Sequence, residues 1–413
     1  MMAFQASGPH AADRATEAVA LAWHEQTAVP QHLVWDKPMG KFNITLDKYY
    51  RVVPKGISLA VACSTFPTWN SVPGIFASLA TGNPVIIKPH PTVVYPLALV
   101  VARLQEVFTE QGLPAEIVQL APDTPDAPIT KVLAEHADIK LIDYTGGNAF
   151  GDYIEALPGK ITFTEKAGIN SVIIDSTADL QAMVNNLAFS ISLYSGQMCT
   201  RPQNFFIPKD GIKVGDQHVS FDEVADAFAK AVQGLSQHPK AGPAVCGALQ
   251  NAESVRSRLN DVASKADKVW LASAPIANPE FPAAQTAGPL VVQMSVDKLQ
   301  DFAHEWFGPI AILIPTDSTA QSVDLAQSLA RQHGAISCGA YTTNPDTLNH
   351  IADAMADAAT PVSFNLLGQI YVNQNAGFSD FHVTGGNPAG NASFTDSSFV
   401  TMRFNFVGLR IQN

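Results

Sequence analysis

The sequence predicts an α/β protein, with a doubly wound and largely parallel sheet in the first half of the chain and a second α/β unit in the other. Two observations carry this expectation. From Ile57 onward, apolar runs of strand length bounded by Gly and Pro alternate with stretches of helical periodicity. The 413 residues also contain no internal repeat and no low-complexity tract, and they suffice for two or three domains with real cores.

In chain order, "HLVWDKPMGKFNITLDKYYRVVP" (residues 32–54) reads as an exposed ribbon turning at Lys-Pro-Met-Gly. "ISLAVAC" (57–63) and "NPVIIKP" (83–89) read as buried parallel strands, apolar without alternation because both sheet faces are covered. Between them, "PGIFASLAT" (73–81) reads as a short helix. Pro96 opens "PLALVVARLQEVFTEQG", where Leu97, Val100, Val101, Leu104 and Phe108 share one helical face and Gly112 supplies the stop. "EIVQLAP" then reads as strand, "ITKVLAEH" as helix, "IKLIDYTGG" as strand, "NAFGDYIEAL" as helix and "KITFTEK" as strand. Such alternation builds a doubly wound sheet whose ligand sits at the carboxyl ends of the strands, the expectation for a cofactor domain. The second α/β pattern starts with the strand "SVIID" (171–175) and a helix over 179–194 that runs out at Gly196. "SFDEVADAFAKAVQGL" follows, with Ser220 and Glu223 in capping-box spacing, and "PLVVQM", "IAILIPT" and "QIYVN" supply further strands.

Composition narrows the function classes. A hydrophobic content of 46% marks a globular chain, and a formal net charge of −12 argues against nucleic-acid or anionic-membrane partners, whose phosphates the average surface would repel. Only 15% of residues are charged, against roughly 25% in ordinary soluble domains, so part of the surface is expected to be covered by other subunits. The cysteines Cys63, Cys199, Cys246 and Cys338 are widely and irregularly spaced; this gives neither a disulfide framework nor a metal-ligand pattern, and fits a reducing compartment. The N-terminus lacks a basic region followed by an apolar one, and no apolar run approaches the ~20 residues of a membrane span, so a cytoplasmic location is expected.

One of these cysteines stands apart. In "SLYSGQMCTRPQNFF", Cys199 is surrounded by glycine, proline and polar residues where a core cysteine would usually have aliphatic neighbours. Thiolate chemistry on a carbonyl needs a nucleophile, donors for the developing oxyanion, an acceptor for what leaves and a base to activate water afterwards. With "IIKP" (Lys88), "YTGGNAFG" (Gly146, Gly147, Gly151), "TEKAG" (Glu165), "SGQMCT" (Cys199) and "EWFGP" (Glu305, Phe307), the chain offers candidates for each and resembles the aldehyde dehydrogenase superfamily. The separation of Glu165 and Cys199, 199 minus 165 or 34 positions, agrees with that family's spacing of base and nucleophile. "STFPTWNS", "ASLATGNPV" and "DFHVTGGNPAGNAS" resemble more specifically the aldehyde dehydrogenase-like subfamily of phenylacetic acid degradation, and the likeness runs through most of the chain.

The resemblance implies an aldehyde dehydrogenase-like fold. Its cofactor-binding domain would comprise residues 1–31 and 55–166, its catalytic domain 167–395, and a small β oligomerisation ribbon 32–54 and 396–413. It further implies that Cys199 attacks the aldehyde and that Glu165 activates water against the resulting thioester. Lys88 would hold the adenosine ribose, Gly146, Gly147 and Gly151 the pyrophosphate, and Glu305 with Phe307 the nicotinamide ribose. NAD or NADP is the implied cofactor, a small aldehyde, free or CoA-linked, the implied substrate, and a homodimer or homotetramer the implied assembly. No metal, nucleic acid or membrane enters this reading.

Three departures from the family pattern shape the expectations. The usual oxyanion-binding asparagine is replaced by Thr65 in "CSTFP", whose hydroxyl is a candidate donor together with Asn70 in "TWN". The acid usually found three places after the strand-end lysine is replaced by Pro91, and without that carboxylate the site is expected to tolerate NADP, which is placed slightly ahead of NAD. The region before "VPKGISLAV" is also short for the family, so a chain that begins late is expected. Transfer of the acyl group to CoA, and a catalytically weak binding protein that keeps the fold, stand as alternatives to hydrolysis.

Overall fold

The computed structural model describes residues 6–368, 383–394 and 396–412. The chain divides into two compact units, one comprising residues 6–165, 392–394 and 396–412 and the other 166–368 and 383–391.

The first unit begins with helix α1 (Ala11–Thr27), whose Ala11 and Ala15 pack against Val72. The ribbon follows as β1 (His32–Met39) and β2 (Phe42–Pro54), antiparallel, with Met39 opposite Phe42. The turn therefore falls slightly beyond the expected Lys-Pro-Met-Gly and centres on Gly40, whose φ of 73° suits a two-residue hairpin loop. Pro38 remains in the edge strand, where a missing N–H is tolerated. The C-terminal strand Phe404–Gln412 pairs with the other edge of β2, so the ribbon and the C-terminal segment join in one three-stranded sheet.

The core of this unit is the parallel sheet β3 (Ile57–Val61), β4 (Val85–Lys88), β5 (Val118–Leu120), β6 (Ile139–Thr145) and β7 (Ile161–Glu165), in the order β5-β4-β3-β6-β7. Because successive strand residues point to opposite faces, Ala60 and Ile87 join Ile75 of helix α2 (Pro67–Ala80) and Leu97 of helix α3 (Tyr95–Glu110). Leu59 and Ile142 join Ala134 of helix α4 (Thr130–Glu135) and Ile154 of helix α5 (Asn148–Glu155) on the opposite face. Helices on both faces make the sheet doubly wound, as the alternation predicted. Full burial of side chains such as Ile75, Ile87 and Leu97 contributes roughly 1.5–3 kcal/mol each. The first of these helices is longer than expected: α2 starts at Pro67, whose fixed φ suits a first helical position, and it carries Pro73 inside it.

The second unit contains β8 (Ser171–Ile174), β9 (Ser176–Thr177), β10 (Asn204–Pro208), β11 (Ile212–Val214), β12 (Gln217–Val219), β13 (Lys268–Leu271), β14 (Leu290–Gln293), β15 (Ile310–Thr316), β16 (Cys338–Tyr341) and β17 (Val362–Phe364). Seven of them form a sheet of order β13-β14-β15-β10-β8-β16-β17, parallel except for β13, and β12-β11-β9 make a smaller one. Val172, Phe205 and Leu313 face helices α6 (Leu180–Ser192) and α7 (Phe221–Ser236), while Ile173, Phe206 and Ile312 face the helices Ala252–Lys265 and Thr319–His333 on the other side. The capping box of α7 is present in full: Ser220 Oγ accepts from the Glu223 N–H at 3.3 Å, and Glu223 Oε2 accepts from the Ser220 N–H at 2.9 Å. The expected strand "QIYVN" lies outside the described residues. Among the described residues, no helix is long and apolar enough to cross a membrane.

Candidate active site

In the first unit, the loop leaving β3 and the first turns of α2 carry two candidate residues, Thr65 and Asn70, and bring Asn70 to Glu165 at the end of β7. Asn70 Nδ2 donates to Glu165 Oε2 at 3.0 Å, and Asn70 Oδ1 accepts from the Cys63 thiol at 3.6 Å. Both Asn70 and Glu165 are buried, so the carboxylate is oriented by an amide whose other end is also engaged. Thr65 is buried too, two residues after Cys63. The sequence presented Asn70 as an oxyanion donor; the bond to Glu165 was not anticipated.

Gly146 and Gly147 form the turn from β6 into α5, and the Gly146 N–H donates to the backbone carbonyl of Glu165 at 3.0 Å. The turn is exposed at Gly147 and Asn148, with no side chain capping the helix start, so the first N–H groups of α5 face open surface. Gly151 is buried one turn further on. Lys88 ends β4 and is itself buried, donating to Pro89 O at 2.7 Å and forming an ion pair with Asp123 at 2.7 Å. An uncapped helix start and a strand-end cation, both at the carboxyl ends of parallel strands, fit a dinucleotide.

The second unit positions Cys199. Helix α6 ends at Ser192, and Tyr194, Ser195 and Gly196 take left-handed backbone conformations with φ of 55°, 56° and 60°. Left-handed non-glycine residues cost about 1–3 kcal/mol each and persist only where the surroundings over-determine them. Here Ser195 Oγ donates to Cys246 O, and Gln197 Nε2 donates to Tyr194 O at 3.0 Å and Ala248 O at 2.9 Å. A Cβ on Gly196 would lie 2.6 Å from Gly308 O, so only glycine admits this approach to the "EWFGP" segment. Arg201 Nη2 donates to Trp306 O at 2.7 Å, and Gln203 Oε1 accepts from the Trp306 N–H at 2.7 Å. The structure thus brings Cys199 and the Glu305–Phe307 segment together within one unit, with Glu305 and Phe307 partly exposed on either side of buried Trp306.

Asn170 completes the support. Its Nδ2 donates to Cys199 O at 2.6 Å and Arg201 O at 3.1 Å, while its Oδ1 accepts from the N–H groups of Ile336 and Ser337 at 2.9 and 3.0 Å. Asn170, Arg201, Gln203 and Asp123 were absent from the sequence-derived candidates, and no local pattern signalled them. The other thiols are set apart by desolvation: burial pushes Cys63 up to about 11, and Cys246 and Cys338 up to about 12 each, which keeps them protonated near neutral pH. Cys199 is partly exposed.

Fold and side chains together define a class, the two-unit α/β proteins with a doubly wound unit and a cysteine on a braced loop. The model of the aldehyde dehydrogenase family matches residues 13–390, and the chain belongs to that family. It is similar to the NAD-dependent aldehyde dehydrogenase from Burkholderia multivorans, with 46% identity and a TM-score of 0.97, covering 100% of this chain and 74% of that one. Vanillin dehydrogenase of an Amycolatopsis species is 25% identical over 415 residues, covering 97% of this chain and 79% of its own length. Aldehyde dehydrogenase LUC3 of a Fusarium species is 27% identical over 324 residues, or 76% of this chain, which spans 62% of that relative's length.

Proposed function

We propose that this chain is an NAD- or NADP-dependent aldehyde dehydrogenase that oxidises an aldehyde of aromatic degradation, free or CoA-linked, to the acid. The observation that carries the reading is the setting of Cys199, which alone among the four cysteines follows a run of left-handed residues and has its carbonyl held by a buried asparagine. The similarity to a vanillin dehydrogenase supports an aromatic substrate.

Lys88 would hold the adenosine ribose, Gly146, Gly147 and Gly151 the pyrophosphate, and Glu305 with Phe307 the nicotinamide ribose. The Cys199 thiolate adds to the aldehyde carbon, forming a C–S bond as the carbonyl electron pair moves onto oxygen. The Cys199 N–H and the Thr65 hydroxyl stabilise that oxygen. Loss of the thiohemiacetal hydride, for which a bound NAD or NADP would supply the acceptor, leaves a thioester on Cys199. Glu165, oriented by Asn70, takes a proton from water as the water oxygen attacks the thioester carbon. The C–S bond then breaks, the acid leaves and the thiolate returns.

The test follows reduced-nicotinamide absorbance with aliphatic, aromatic and CoA-linked aldehydes, with and without free CoA. Turnover with aromatic aldehydes that needs no CoA and yields the free acid is the expected result. Acyl-CoA as the sole product would replace hydrolysis by acyl transfer. Cofactor binding without turnover of any aldehyde would favour a binding protein that keeps the fold.

Asn70→Leu separates the two halves of the reaction. Steady-state turnover is expected to fall about 10–100-fold through slower hydrolysis, while the first equivalent of reduced nicotinamide per chain appears at the native rate. Equal loss in both phases would take Asn70 out of the hydrolytic step. The apolar residues exposed on the three-stranded sheet, among them Phe42, Val407 and Leu409, support pairing with a second subunit in a dimer or tetramer.

A further inference from the structure

Cys199 and Glu305 are 305 minus 199, or 106 positions apart, yet one side chain two residues past the cysteine reaches from the first loop into the second. Arg201 is buried, and its stem fills the space that Gly196 leaves open: a Cβ there would lie 2.7 Å from Arg201 Cδ and 2.6 Å from Gly308 O. The guanidinium then straddles Gly308, with Nη2 donating to Trp306 O at 2.7 Å and Nη1 donating to Ile310 O, the carbonyls two residues before and two residues after that glycine. Buried Gln203 repeats the link, because its Oε1 accepts from the Trp306 N–H at 2.7 Å and its Nε2 donates to His304 O at 3.0 Å. At the other end, Asn170 Nδ2 binds Cys199 O and Arg201 O together, so the backbone of the arginine is tied to that of the cysteine.

We propose that Arg201 is a positioning residue for the proposed reaction, on whose reading of Cys199 and Glu305 this inference rests: its guanidinium locks the cysteine loop to the segment carrying Glu305 and Phe307, so that nucleophile and cofactor contacts are set by one device. Arg201 acts through the two backbones it joins and touches no reacting atom in this scheme. Thiol addition followed by hydride transfer depends on the relative placement of both loops, and a displacement of about 1 Å can cost on the order of 10²-fold in rate. The planar fork of an arginine suits the task, because two of its N–H groups hold Trp306 O and Ile310 O in fixed geometry. A lysine ammonium is a point charge on a flexible stem and cannot reproduce that pair of directions.

Rapid-mixing kinetics and NAD titration calorimetry on the native chain, Arg201→Lys and Arg201→Met test the proposal, with melting curves to establish that each is folded at the assay temperature. The aldehyde is whichever of benzaldehyde, phenylacetaldehyde and propanal the native chain oxidises fastest. At saturating NAD, the first equivalent of reduced nicotinamide is expected to appear about 10–100-fold more slowly in both variants, and NAD to bind about three- to tenfold more weakly, with lysine the milder change. The paired loss is the signature, since Asn70→Leu is expected to leave that first equivalent at the native rate. A folded Arg201→Met in which either quantity stays native would overturn the proposal, because a side chain that only stabilises the fold moves the melting curve and neither readout. Should both arginine variants fail to fold, Gln203→Met decides: it removes no charge, yet releases the Trp306 N–H and His304 O. The same paired loss is expected there, and a native value of either quantity would overturn the proposal. A native chain that oxidises none of the three aldehydes would refute the proposed reaction itself, and this inference falls with it.

Discussion

Cys199→Ala is expected to abolish aldehyde-dependent formation of reduced nicotinamide, by on the order of 10⁴-fold or more, with the melting temperature shifted by no more than about 2 °C. The two expectations follow from different atoms. In the proposed reaction the nucleophile is the sulfur, and neither the Thr65 hydroxyl nor any water can form the thioester in its place. Stability rests instead on the backbone: Asn170 binds the Cys199 carbonyl, and Ser195, Gln197 and Arg201 hold the residues on either side. Alanine keeps all of these bonds. Iodoacetamide should label one thiol per native chain and none in the variant, because Cys63, Cys246 and Cys338 are held protonated by burial. If Cys199→Ala kept more than a few per cent of native turnover, the cysteine would not be the nucleophile and the proposed reaction would be lost. A large drop in melting temperature would show that the sulfur itself packs against its surroundings.

What was legible in the sequence was local. The strand-and-helix alternation from Ile57, the Leu97-to-Phe108 helix face and the capping box at Ser220 all depend on neighbours a few positions apart, and each appears in the structure. Where an element was misjudged, a tertiary preference intervened. The first helix of the doubly wound unit extends back to Pro67 because residues 67–75 are buried there, whereas the sequence offered Pro73 as the more obvious start. The supports of the candidate site were illegible because they join residues that no local period relates. Asn70 and Glu165 are 95 positions apart, Asn170 lies 29 before Cys199, and Lys88 finds its carboxylate at 123 minus 88, or 35 positions on.

The second large effect is expected at Arg403, which no motif singled out and which sits at the root of the C-terminal strand. Its side chain is fully buried, with Nη2 2.6 Å from Asp143 Oδ1 and Nη1 2.8 Å from Oδ2, a bidentate pair. Nη1 also donates to Ser78 Oγ at 2.7 Å, Nε donates to Phe399 O at 2.9 Å, and the guanidinium lies 3.9 Å over the Phe163 ring. Arg403→Met keeps much of the volume but leaves the Asp143 carboxylate buried, with only Ser58 as a hydroxyl donor at 3.4 Å and Ser78 deprived of its partner. Breaking a buried pair from one side costs about 3–5 kcal/mol, so denaturant titration should show the first unit destabilised by that amount. Most of that cost belongs to the stranded charge. Asp143→Asn added to Arg403→Met should therefore recover a substantial part, about half or more, although a buried amide still wants partners. A single variant within about 1 kcal/mol of native, or a double variant worse than the single one, would mean that the pair is not the lock it resembles. Function should follow stability here, because Asp143 lies in β6, two residues before Thr145, which pairs with Glu165, and three before the Gly146 turn. Loosening that strand disturbs the Gly146 turn and the carboxylate of β7 together, so on the proposed reading Arg403→Met should weaken dinucleotide binding as well as folding, even though Arg403 touches neither.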